Sequence, residues 1–161
     1  RQNFMASILA MSHYVVRIKG KLMEIIYGNI KMNKIESISI CLDFDGTCVT
    51  HEYPVIGEDI GAVPILKKLC DNGHNLILFT MRSGIELKYA LSWFDHNGIK
   101  LYGVNKNPTQ SNWTESPKAY AQLYLDDASL CAPLKFDEKL SSRPFMDWVK
   151  VEEELKLLNL I

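Results

Sequence analysis

From residue 35 onward, apolar runs of strand length alternate with stretches whose apolar residues recur at helical spacing, and few architectures accommodate that order. Residues 38–42 (ISICL) read as a buried strand ending at Asp43, and 75–80 (NLILFT) as a second. Residues 100–104 and 122–125 (QLYL) read as a third and a fourth. Between them, residues 58–72 place Ile60, Val63, Ile65, Leu66, Leu69 and Cys70 at helical spacing, and Gly73 stops the helix. Residues 86–96 do the same with Leu87, Ala90, Leu91 and Phe94. Residues 116–121 read as a short helical segment, and 148–158 as a closing helix with Val149, Val151, Leu155 and Leu158 on one face. Such alternation implies crossover connections. The expected fold is α/β, a Rossmann-like three-layer sandwich with a central parallel sheet and helices on both faces.

Charge divides the chain. The 161 residues carry 18 basic and 19 acidic groups, a net −1. Residues 1–34 hold Arg1, Arg17, Lys19, Lys21, Lys31 and Lys34 against Glu24 alone, which leaves 12 basic and 18 acidic groups in residues 35–161. That acidic body argues against a general nucleic-acid-binding surface, though not against a local groove that admits a phosphorylated end, and no apolar run is long enough for a membrane-spanning helix. At 47% hydrophobic and 23% charged, the chain has the composition of a globular protein.

Residues 1–34 make a poor signal peptide and contain no residue of the motifs below. Three readings compete for them: a genuine extension, a weak membrane-surface or partner-binding arm, or upstream sequence joined to a protein that starts at Met23 or Met32. The third is preferred, with 35–161 as the functional domain. Cys41, Cys48, Cys70 and Cys131 lack zinc-ligand spacing, and reduced, mostly buried thiols in a cytoplasmic protein are expected.

The chemistry concentrates where the apolar runs end. In open parallel sheets, ligands sit beyond the carboxyl ends of the strands. Asp43-Phe44-Asp45-Gly46-Thr47 follows the first strand directly, and Asp126-Asp127 follows the fourth. Acids this dense repel one another unless solvated, paired or bound to a cation, and an all-oxygen set suits Mg²⁺. Thr80, with the amides of Met81 and Arg82, is placed to face an anion, and Lys118 supplies a positive charge ahead of Asp126. The chemistry so assembled is attack by a carboxylate on phosphorus, followed by hydrolysis of the aspartyl-phosphate.

DFDGT, Thr80, Lys118 and Asp126-Asp127, in that order and each at a segment edge, resemble the four motifs of the haloacid dehalogenase superfamily. LILFTMRSG and SPKAYAQLYLDD are similar to small, capless phage and bacterial hydrolases of that group. The resemblance implies Asp43 as nucleophile and metal ligand. It implies Asp45 as proton donor to the leaving group and then activator of water, its backbone carbonyl binding Mg²⁺. Thr80, Met81, Arg82 and Lys118 would hold the phosphoryl group, and Asp126 with Asp127 would complete the metal site. The pattern departs from the family in having no further acid at Leu130 or Cys131.

Neither the gap from Asp45 to Thr80 nor that from Thr80 to Lys118 has room for a cap domain. An open site suits a phosphorylated small molecule or an exposed phosphate on a macromolecule, or else a neighbouring subunit serves as lid in a homo-oligomer. Lys106 and Trp113 either touch substrate or are, respectively, solvated and packed against their own loop. His51 either meets a leaving group or is an exposed loop residue, and Arg82 either pairs with phosphate or forms a surface salt bridge. His74 and His96, at helix ends, need no function. The alternative to a phosphohydrolase is a non-catalytic or phospho-accepting binding and signalling module on the same fold.

Overall fold

The structure is a computed structural model that describes residues 36–161. The expectations for residues 1–34 lie outside the described residues. Four strands form one parallel sheet: β1 (Ser39–Leu42), β2 (Asn75–Leu78), β3 (Gly103–Val104) and β4 (Leu123–Leu125), in the order β3-β2-β1-β4. Three helices accompany it: α1 (Ala62–Asp71), α2 (Gly84–His96) and α3 (Trp148–Leu157). The α/β parallel-sheet expectation holds. Two isolated bridges, α1 and β2 lie between Asp45 and Thr80, while α2, β3 and a 3-10 turn lie between Thr80 and Lys118, with no inserted cap in either gap.

Alternation along the strands decides what each face meets. Ile40, Leu42, Leu76 and Leu78 point into the larger core, which also takes Leu66 and Leu69 of α1, Ala90 and Phe94 of α2, and Val151 and Leu155 of α3. Cys41 and Ile77 point the other way, onto Ala119, with Phe79, Tyr102, Ala121 and Tyr124 around them. The second face is thus covered, among the described residues, by irregular chain where a helix was expected. Residues 116–121 are not helical; a 3-10 turn at Gln110–Asn112 precedes them. Gln110 organises this stretch by donating to the carbonyls of Ser116 and Lys118 (2.6 and 2.8 Å) and accepting from the Tyr120 amide at 2.7 Å. Those bonds tie the carbonyls across the segment and replace the helical ladder.

Other boundaries move for local reasons. The helix expected over 58–72 starts only at Ala62, because Asp59 pairs with Val49 and Gly61 adopts a left-handed φ of 89°. Of the strand expected over 100–104, only Gly103–Val104 pairs with β2. The inner face of α3 is Trp148, Val151 and Leu155, while Val149 and Leu158 face outward. A hairpin, β5 (Leu134–Lys135) with β6 (Phe145–Met146), went unread in the sequence, its strands being too short to leave a periodic signal. His74 is structural: its Nδ1 accepts from the Ile38 amide, and its Nε2 meets the Leu160 carbonyl at 2.9 Å. Cys41 and Cys48 are buried, Cys70 is half-buried and Cys131 is exposed, and none is disulfide-bonded. Among the described residues, no helix is long and apolar enough to cross a membrane.

Candidate active site

The central strand and its two neighbours build the site. The Phe79 amide donates to the Leu42 carbonyl (2.8 Å) and the Asp43 amide to the Leu125 carbonyl (2.9 Å), so the ladder continues to the carboxyl ends on both sides of β1. Asp43, Thr80 and Asp126 are thereby brought together. Within DFDGT the two-residue alternation separates roles: Asp43 and Asp45 line the pocket, while Phe44 is fully buried against Trp93 and Phe94 at ring distances of 5.6 and 5.8 Å. Burying such a ring contributes about 1.5–3 kcal/mol and anchors the motif to α2.

Behind the motif the chain turns tightly. Gly46 has φ +87°, and a Cβ there would lie 2.4 Å from Asp127 Oδ2, so Gly46 is what lets the β4 acid approach β1. Thr47 Oγ1 accepts from the Asp127 amide at 2.9 Å and lies 3.4 Å from Asp43 Oδ2. The Trp148 indole donates to the Thr47 carbonyl at 2.7 Å, and the Met146 amide to that of Gly46 at 2.8 Å. The hairpin and α3 therefore clamp the turn. Thr47 was read only as the end of the DFDGT motif and Trp148 only as a helix start, because both contacts span 80 residues or more.

The pocket, about 450 Å³, is lined by the three strand ends together with His51, Tyr53, Met81, Arg82 and Ala128. One carboxylate oxygen each from Asp43, Asp126 and Asp127 lies within 4.8 Å of the others. Burial pushes the Asp43 carboxyl up to about 7, with repulsion from Asp126, Asp127 and Asp45 adding to it and the Phe44 backbone opposing it. Asp127 is also raised, by burial first and by Asp126, against the pull of His51, Arg143 and Thr47. Three half-buried carboxylates in this arrangement form an all-oxygen donor set fitted to a hard divalent cation.

Asp45 stands apart from that trio. Arg82 Nε and Nη2 donate to its two oxygens at 2.7 and 2.6 Å, and the guanidinium is buried. Arg82 was expected either on phosphate or in a surface salt bridge. The salt bridge forms, but in the interior and with Asp45, beside the pocket that Arg82 also lines. The anion cradle is also smaller than expected. The Arg82 amide donates to Thr80 Oγ1 at 3.2 Å and the Thr80 amide to Asn105 Oδ1 at 2.8 Å, while α2 begins only at Gly84. Thr80 Oγ1 keeps its own O–H to donate, and Met81 sits at the rim, 97% exposed.

Lys118 is not brought to the acids. It lines a second cavity with Trp113, Tyr120 and Tyr124, its ammonium 5.5 Å from the Tyr124 ring centre. Trp113 packs edge-on against Tyr120 at 5.3 Å yet stays 64% exposed.

Fold and site together define a parallel α/β domain with a polyacidic pocket at its strand ends. A solved structure described as a conserved protein from Bacteroides thetaiotaomicron is 34% identical, with a TM-score of 0.59, over 75% of this chain and 91% of that one. The chain belongs to the same family as that protein. No protein-family model matches the chain, and neither does any curated protein.

Proposed function

We propose that the chain is a Mg²⁺-dependent phosphomonoesterase of the haloacid dehalogenase type, acting through an aspartyl-phosphate on Asp43. The observation that carries this reading is the convergence of Asp43, Asp126 and Asp127 within 4.8 Å beside Thr80. The carboxylates of Asp43, Asp126 and Asp127 would hold Mg²⁺, which when bound supplies the positive charge that offsets the clustered acids and the phosphoryl oxygens. Asp43 attacks phosphorus as a carboxylate while Asp45 gives a proton to the departing oxygen. Water then attacks the phosphorus, Asp45 takes its proton, and the bond to the Asp43 oxygen breaks. The Thr80 hydroxyl donates to a phosphoryl oxygen. Among the described residues no inserted domain closes the pocket, so the class of substrate runs from phosphorylated small molecules to phosphate on a macromolecule.

The full chain with Mg²⁺ is expected to release phosphate from an aryl phosphate, and Asp43→Asn is expected to lower that rate by at least about 1,000-fold. Turnover by the variant at the rate of the unsubstituted chain would reject the reading. One observation favours a second reading, a non-catalytic or phospho-accepting module. The cation assigned to phosphate by the resemblance, Lys118, lines another cavity. Stoichiometric phosphorylation of Asp43 without release would establish that alternative.

A further inference from the structure

Arg82 has no role in the chemistry above, yet it is the largest fully buried side chain of the described residues. Its fork grips both oxygens of Asp45, Nη1 donates to the Pro54 carbonyl at 2.9 Å, and Nη2 donates to the Val55 carbonyl at 2.7 Å. The guanidinium carbon lies 5.1 Å from the Phe44 ring centre and 5.3 Å from that of Tyr53. One side chain thus fixes the plane of Asp45 and ties residues 53–55, of which Tyr53 lines the pocket, to the first motif. A fork of this kind occupies one lone pair on each carboxylate oxygen and leaves the others to accept.

We infer that Arg82 is a positioning residue that presents Asp45 as the proton acceptor for the water attacking phosphorylated Asp43. The inference rests on the phosphatase reading and adds a residue to its second step. In that step the water oxygen bonds to phosphorus and its proton passes to Asp45. The phosphorus–oxygen bond to Asp43 breaks, giving inorganic phosphate and the free Asp43 carboxylate. Asp45 later returns its proton to solvent or to the next leaving group. Formation of the aspartyl-phosphate from a good leaving group needs no proton from Asp45, so Arg82 should matter little there.

The experiment compares the full-length chain with Arg82→Lys, Asp45→Asn and the double variant, using p-nitrophenyl phosphate and Mg²⁺. The kcat of Arg82→Lys is expected to fall about 100-fold, the lower end of what proton transfer contributes, with KM falling in parallel and kcat/KM within about threefold. A stoichiometric burst of p-nitrophenol should precede the slow phase. In the Asp45→Asn background the same substitution should cost no more than about a further threefold in kcat. Equal losses in kcat and kcat/KM, or independent losses that multiply, would overturn the inference. If Arg82→Lys does not fold, a crystal structure of the unsubstituted chain with Mg²⁺ and vanadate decides: the fork still on Asp45 supports the role, and a fork moved to vanadate overturns it. Absence of turnover in the unsubstituted chain would instead remove the phosphatase reading itself.

Discussion

The two halves of the pocket treat the same residue type in opposite ways. Asp45 receives a buried guanidinium from the fold, fork to fork, with the rest of that group held by main-chain carbonyls. Asp43, two residues earlier, faces Asp126 and Asp127 instead, and among the described residues no Lys or Arg forms an ion pair with any of the three. A buried carboxylate is costly unless something offsets its charge. One half of the pocket supplies that charge from the chain, and the other gathers three carboxylates that could hold a cation. Under the proposed reading the consequence is a division of labour: a fixed acid beside a site that a divalent ion would complete.

The contrast depends most on the close approach at Gly46. Gly46→Ala places a Cβ against the Asp127 carboxylate and requires a strained left-handed alanine. It is expected to cost about 1–3 kcal/mol of stability in urea unfolding and, by displacing Asp127, at least about 100-fold in phosphate release. Undiminished activity would show that the acids do not work as a fixed cluster.

A smaller effect should appear in stability against pH. Asp43 is raised from 3.8 to about 7, so between those values the folded state binds more protons than the unfolded chain. With EDTA present, stability should therefore fall as pH rises across that window and level off above it. The unfolding temperature is expected to drop by several degrees or more, a change reduced by Mg²⁺ and largely absent in Asp43→Asn. A profile that is flat in EDTA, or a slope retained by the variant, would erase the difference between the two halves.

Lys118 should give the smallest effect. Placed over Tyr124 and away from the acids, it is expected to change kcat/KM by no more than about threefold when replaced by Ala. A loss of about 100-fold would mean that Lys118 reaches the carboxylates when substrate binds. The half that lacks a protein cation would then acquire one.

Much of this was legible in the chain itself. Strand and helix periods gave the parallel α/β sheet. The end of each apolar run marked where Asp43, Thr80 and Asp126 would meet, because chain direction in a parallel sheet places all carboxyl ends on one edge. The structure adds that Asp43 and Asp45 both line the pocket while Phe44 between them is in the core. What could not be read was which partner each polar group would take. Arg82 pairs with Asp45 across 37 residues, Trp148 holds the Thr47 carbonyl across 101, and the side chain of Gln110 replaces the helix expected before β4. Such bonds carry no period and no local propensity. They depend on the packing that brings distant segments within hydrogen-bonding reach, and so the placement of acids belongs to the sequence while the compensation of their charge belongs to the tertiary structure.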